Sequence, residues 1–196
     1  MSFEEDPAFV GDHKGGESVP GRDPAAQARE VCLRLLTLAP RTRAQLADAL
    51  RKRGTPDEVA EEVLSRFEDV GLIDDAAFAR SWVESRHYSR GLAGRALSAE
   101  LKQRGVGAEE IRAAIHEQLG PDAEVSAARR LVDKKLAATR GQPPEQRTRR
   151  LAGMLARKGY PPGLAFRVIR EALEAEGESV APEDEPFFDA SGLDAE

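Results

Sequence analysis

Residues Gly71 to Gly105 read GLIDDAAFARSWVESRHYSRGLAGRALSAELKQRG. Asp74 and Asp75 can each accept from the unpaired N–H groups that open a helix. Phe78 and Trp82 then recur four residues apart, as do Ala79 and Val83, which is the spacing of one helical face. Gly91 stops that helix. Leu97 and Leu101 mark a second helix. Gly105 closes it, where a left-handed cap costs glycine least. The stretch is two helices joined by a turn.

The same punctuation runs outward in both directions. Downstream, Ile111, Ile115 and Leu119 mark a third helix, ended by Gly120-Pro121. From about Glu124, Ala128, Leu131, Val132 and Leu136 form one face. A longer connection, Arg140 to Pro144, leads to Leu151 and Leu155, then Gly159. Pro161-Pro162 restart the chain, and Val168, Ile169 and Leu173 stripe the last helix. Upstream, Val31, Leu35 and Leu38 are at helical spacing, reinforced by Cys32, Leu33 and Leu36, and Pro40 ends that run. Leu46 and Leu50 follow, closed by Gly54. Thr55-Pro56-Asp57-Glu58 predicts a capping box with proline at the first helical position. Val59, Val63, Leu64 and Phe67 complete that helix, which Gly71 ends.

These elements are repeats. Leu46/Leu50/Gly54, Leu97/Leu101/Gly105 and Leu151/Leu155/Gly159 share the pattern Leu-x3-Leu-x3-Gly. Each first helix also opens alike, with Ala28-Arg29, Ala79-Arg80 and Ala128-Arg129. No stretch alternates with the period of a strand. The predicted fold is all-α: three tandem three-helix repeats over 26–73, 74–123 and 124–173, forming an elongated, curved helical array. Each unit looks too small to bury its own apolar face well, so neighbours are expected to stack. Residues 1–25 and 174–196 show no helical or strand period and are expected to be disordered acidic tails.

Charge is distributed unevenly. The chain carries a net −6. The N-terminal 25 residues contribute −4 and the C-terminal 23 contribute −9, with no base among the latter. The first repeat is balanced and the second stands at −1. The third holds twelve bases against four acids, a net of +8. Arg147, Arg149, Arg150, Arg157 and Lys158 crowd one of its helices, and Arg129, Arg130, Lys134 and Lys135 lie on the one before. Such density suits phosphates or an acidic protein groove, and serves equally as a solvated helix face. In the second repeat Arg86, Arg90, Arg95 and Lys102 are further contact candidates. Arg86 and Arg90 share a face with Trp82, where Arg86 can lay its stem over the core edge.

Catalytic constellations are not evident. There is no phosphate-cradling glycine loop and no dinucleotide fingerprint. One cysteine and three scattered histidines, His13, His87 and His116, do not make a zinc site. Cys32 lies on a leucine-rich face and reads as a small core residue; His87 reads as an exposed helical histidine. No cofactor is expected. A helix–turn–helix reading of DNA is disfavoured in two of the units: the third helices open on Asp57, Glu58, Glu61 and Glu62, and on Glu109 and Glu110, all of which repel phosphates. With a single cysteine and no apolar run of about 20 residues, a monomer in the bacterial cytoplasm, off the membrane, is the expected form.

The Gly71–Gly105 block resembles the RecX family of regulators of the bacterial RecA recombinase. The resemblance lies in Gly71-Leu-Ile-Asp-Asp75, Phe78-Ala79, the aromatic Trp82, Arg86, and Glu100-Leu101 with Arg104-Gly105-Val106, and it extends over 26–173. It implies a non-enzymatic modulator that binds along the groove of the RecA–DNA filament. Such a protein restrains ATPase, strand-exchange and coprotease activity in DNA repair and the SOS response, with single- and double-stranded DNA as further partners. A stand-alone nucleic-acid-binding helical protein is the alternative.

Overall fold

The computed structural model describes residues 23–177. Among these, every regular element is helical. The first repeat holds α1 (Pro24–Leu38), α2 (Arg43–Arg51) and α3 (Asp57–Asp69). The second holds α4 (Asp75–Arg90), α5 (Gly94–Gln103) and α6 (Ala108–Gln118). The third holds α7 (Pro121–Leu136), α8 (Pro144–Arg157) and α9 (Pro162–Ala175), with a 3-10 turn at Ala137–Thr139 after α7.

The repeated Leu-x3-Leu-x3-Gly pattern has one structural cause. Gly54, Gly105 and Gly159 all sit at positive φ, between 74° and 86°. In each case the glycine N–H bonds to the carbonyl three residues back. The next N–H, that of Thr55, Val106 or Tyr160, bonds to the carbonyl of Leu50, Leu101 or Leu155. This is the Schellman closure, and it fixes how the chain leaves each second helix. The two leucines before each glycine are buried in all three copies.

Helix starts differ from expectation in two places. Thr55 forms no capping box, because Pro56 occupies the N-cap and α3 has no side-chain cap. The box forms instead at α2, where Thr42 Oγ1 accepts from Gln45 N–H and the Gln45 side chain accepts from Thr42 N–H. Helix α7 begins at Pro121 rather than near Glu124, since a proline is well placed at the first helical position.

The boundaries of the acidic ends also move. Asp23 caps α1 by accepting from Ala25 N–H, so the helix opens at Pro24. Helix α9 continues to Ala175, and Glu176 and Gly177 follow it. The rest of both expected tails lies outside the described residues.

Three cores result, one centred in each repeat, so each unit buries more of its own apolar face than expected, while neighbours still abut at the junctions. Cys32, Leu46, Leu50, Leu64 and Phe67 centre the first. Val83, Leu97, Leu101 and Ile111 centre the second. Val132, Leu151, Leu155, Val168, Ile169 and Leu173 centre the third, which also takes in Ala93 from the second repeat. Every extensive helix pairing lies within a repeat. Three short helices around a leucine pair close most of their own core, and the junctions combine polar groups with close contacts such as Leu131 against Gly91 and Ala96 against Gly159. Phe78 and Trp82 are half-buried at the edge of the second core.

Candidate interaction surface

The junctions decide which cations are free to act. At the first, Thr42 Oγ1 donates to the Arg104 carbonyl at 2.7 Å, and Arg43 N–H donates to Asp75 Oδ1 at 2.9 Å. At the second, Ala93 N–H donates to the Lys158 carbonyl at 2.9 Å, and Gly94 N–H donates to Glu124 Oε1 at 2.8 Å. The two junctions share one construction. The C-terminal carbonyl of a second helix meets the N-terminus of the second helix before it. A carboxylate from the following first helix caps that same N-terminus. Positive and negative helix ends thereby face each other from α8 to α5 to α2.

Asp74 and Asp75 therefore both cap, but for different helices. Asp74 accepts from Ala77 N–H and opens its own helix. Asp75 reaches back to α2, and partial burial raises its carboxyl above the usual range. At the other junction Tyr160 donates to the Gly91 carbonyl at 3.1 Å, and burial, reinforced by the nearby Glu124 charge, pushes its phenol up to about 12. His87 is half-buried and its Nδ1 lies 2.9 Å from the Leu92 carbonyl, so it is not the exposed histidine expected.

Several candidate contact residues make contacts within the fold. Arg147 is 1 % exposed. Its Nε donates to Thr139 Oγ1 at 3.0 Å, and its Nη2 meets Glu176 Oε2 at 2.5 Å. It lies on the inward face of α8 with Leu151 and Leu155. Lys158 is spent on the second junction, its Nζ donating to the Arg90 carbonyl at 2.5 Å. Arg129 pairs with Asp133 at 3.1 Å and Glu171 at 3.6 Å. Arg86 lies with its guanidinium 4.1 Å from the Trp82 ring centre and 3.9 Å from Glu100. Arg104 lies over the same ring at 3.7 Å, while Trp82 Nε1 donates to Glu100 Oε2. The aromatic and three charges thus satisfy one another. The sequence showed Arg104 only within the family block, because its meeting with Trp82 depends on how α4 and α5 pack.

Of the candidate contact residues, those left exposed are Arg90, Arg95, Lys102, Arg130, Lys134, Lys135, Arg149, Arg150 and Arg157. The most concentrated set is on α8. At 3.6 residues per turn, Arg149, Arg150 and Arg157 fall within an arc of about 100°, opposite Leu151 and Leu155. None of the three pairs with a carboxylate among the described residues, and Glu145 is the one acid on the helix. Gly153 lies at the centre of this arc. A glycine inside a helix costs about 1 kcal/mol relative to alanine. A Cβ there would meet only Arg157 Nη1, at 3.5 Å. Nothing within the repeat requires glycine, and its absence of a side chain leaves the backbone open between the arginines. The sequence carried this signal as a glycine inside a helical period, but the arc became visible only once Arg147 was turned inward. By the shared leucine register, Arg95 occupies on α5 the position of Arg149 on α8.

Among the described residues no helix is long and apolar enough to cross a membrane, and no group of three or more histidines, cysteines and carboxylates could hold a metal ion. Cys32 is buried, and desolvation pushes its thiol up.

The first, second and third three-helix domains of RecX match residues 28–67, 74–115 and 122–169. The chain belongs to the RecX family. Its relatives include the regulatory protein RecX of Thermobifida fusca, 61 % identical over 85 % of this chain and 89 % of that protein. The regulatory protein RecX of Streptomyces lividans is 60 % identical over 89 % of this chain and 92 % of its own length. A crystal structure of a regulatory protein RecX superposes with a TM-score of 0.68 at 27 % identity, covering 76 % of this chain and 72 % of the other. The crystal structure of RecX from Lactobacillus salivarius gives 0.71 at 19 % identity over 76 % and 96 %, a likeness of fold. RecX proteins form a regulatory family rather than an enzyme family, and this chain carries its first, second and third domains in that order.

Proposed function

We propose that this chain regulates RecA by binding the RecA–DNA filament in its groove, and that it restrains ATPase, strand-exchange and coprotease activity during DNA repair and the SOS response. It acts in the cytoplasm by occupancy and performs no chemistry. The observation that carries the reading is the α8 face, with three exposed arginines around Gly153 and no carboxylate pairing any of them. A polyanionic partner gains from such a face because bound counterions are released when phosphates are neutralised. Arg95 and Lys102 on α5 extend the contact to the second repeat. Lys134 and Lys135 add exposed charge from α7.

The deciding experiment is co-sedimentation with preformed RecA filaments, together with inhibition of filament ATPase. R149E/R150E/R157E, folded by circular dichroism, is expected to lose most binding and inhibition. Full inhibition by that variant removes α8 from the contact. The same unneutralised charge also favours plain nucleic-acid binding. A salt titration with and without RecA separates the two readings. Steep salt dependence on bare DNA with no gain from RecA selects the nucleic-acid protein.

A further inference from the structure

We propose that the α8 arginine face is a docking site for the chain's own C-terminal acidic segment, residues 178–196, which the filament or nucleic acid must displace. The inference rests on the proposed function for the identity of the competitor, and on the following geometry for the docking itself.

The first observation is an anchor. Glu176, just beyond α9, is held by two arginines that flank the start of α8. Its Oε1 accepts from Arg140 Nη2 at 2.7 Å and its Oε2 from Arg147 Nη2 at 2.5 Å. The chain therefore leaves the third repeat beside the N-terminal end of α8. Gly177 follows at φ 84°, so the backbone turns there rather than continuing the line of α9.

The second observation is reach. Nineteen residues follow Gly177. Extended, they span up to about 60 Å. Helix α8 has 14 residues, about 21 Å at the helical rise. The segment reaches Arg157 at the far end with slack.

The third observation is charge. Residues 178–196 carry Glu178, Glu183, Asp184, Glu185, Asp189, Asp194 and Glu196, with no base. On α8 the outward cations Arg149, Arg150 and Arg157 have no carboxylate of their own among the described residues. The anchored end keeps the local concentration of these acids high, so weak pairs act together. Gly153 admits a backbone close to the helix axis at the middle of the face. The acidic N-terminus is the weaker occupant. It enters at α1, two repeats away, and residues 1–22 hold five acids offset by two bases.

The test compares the full chain with a chain ending at Gly177, using a single-stranded oligonucleotide and fluorescence anisotropy. Removing 178–196 is expected to tighten binding by about three- to tenfold at low ionic strength, with the gap closing as salt screens the pairing. The triple exchange E183Q/D184N/E185Q is expected to reproduce part of that gain. In R149Q/R150Q/R157Q, truncation is expected to change nothing. A second readout uses no nucleic acid: the Gly153 amide resonance is expected to shift on truncation, and to shift back when a 178–196 peptide is added. An unmoved Gly153 amide together with unchanged affinity overturns the docking, whether or not the arginines still bind filaments. Tightening on deletion of residues 1–22 instead assigns the face to the other end and overturns it equally. Loss of filament inhibition by R149E/R150E/R157E is a separate result and bears only on the proposed function.

Discussion

Arg147 and Glu176 meet at 2.5 Å across 29 residues of sequence, and they tie the end of α9 to the inner face of α8. The guanidinium is 1 % exposed and also bonds Thr139 and the Leu136 carbonyl. It therefore joins three elements of the third repeat. Because it holds the fold rather than a partner, R147A is expected to cost about 3 kcal/mol. The folded fraction should still bind filaments. Urea unfolding and co-sedimentation on the same preparation check both statements.

The same pair predicts a pH dependence. The Arg147 and Arg140 hydrogen bonds hold the Glu176 carboxyl below its usual value. A depressed carboxyl contributes stability that is full above its unfolded pKa, near 4.5, and is lost as pH falls through the lower folded value. E176Q should therefore melt below the parent chain at pH 7, and the difference should shrink as pH falls below the ordinary glutamate range. A gap that widens with acid contradicts the pairing.

Gly54 and Gly159 share a backbone conformation, at φ 74° and 86°, but differ in surroundings. A Cβ on Gly54 meets nothing within 4 Å, while one on Gly159 would lie 2.5 Å from the Ala96 nitrogen. G54A is expected to cost about 1 kcal/mol, from left-handed strain alone. G159A should cost about 1–3 kcal/mol more, because the second junction must open to admit a methyl group. Thermal unfolding of the two variants decides it.

Thr42 is fully buried and serves two purposes, donating to the Arg104 carbonyl and accepting from Gln45 N–H. T42V keeps its shape and loses both bonds. We expect a loss of about 1–2 kcal/mol. Amide exchange should quicken at the start of α2 and the end of α5, not in the third repeat.

Gly153 offers a test in the opposite direction. G153A should raise stability by about 0.5–1 kcal/mol, since the added methyl group meets only the mobile end of Arg157. It should also weaken filament binding, by lifting the partner off the helix backbone. Gain of stability without loss of binding would mean that the glycine has no contact role.

Helix count, repeat register and the leucine core were legible in the sequence, because periodicity and capping glycines are local properties. Leu46, Leu97 and Leu151 are buried as their spacing predicts. The basic third repeat was legible too, because charge is additive along a chain. What the sequence did not determine was which cations remain available. Arg147 and Arg149 are two residues apart and of one type, yet one faces Thr139 and the other faces water. A two-residue step on a helix is a turn of about 200°, and only the packing of α8 against α7 and α9 decides which side is inward. Asp75 looked like a local helix cap and Lys158 like part of the basic patch, and both instead join neighbouring repeats. Their partners lie 32 and 68 residues away. Contacts across such separations depend on how whole repeats abut, so they belong to the tertiary structure alone.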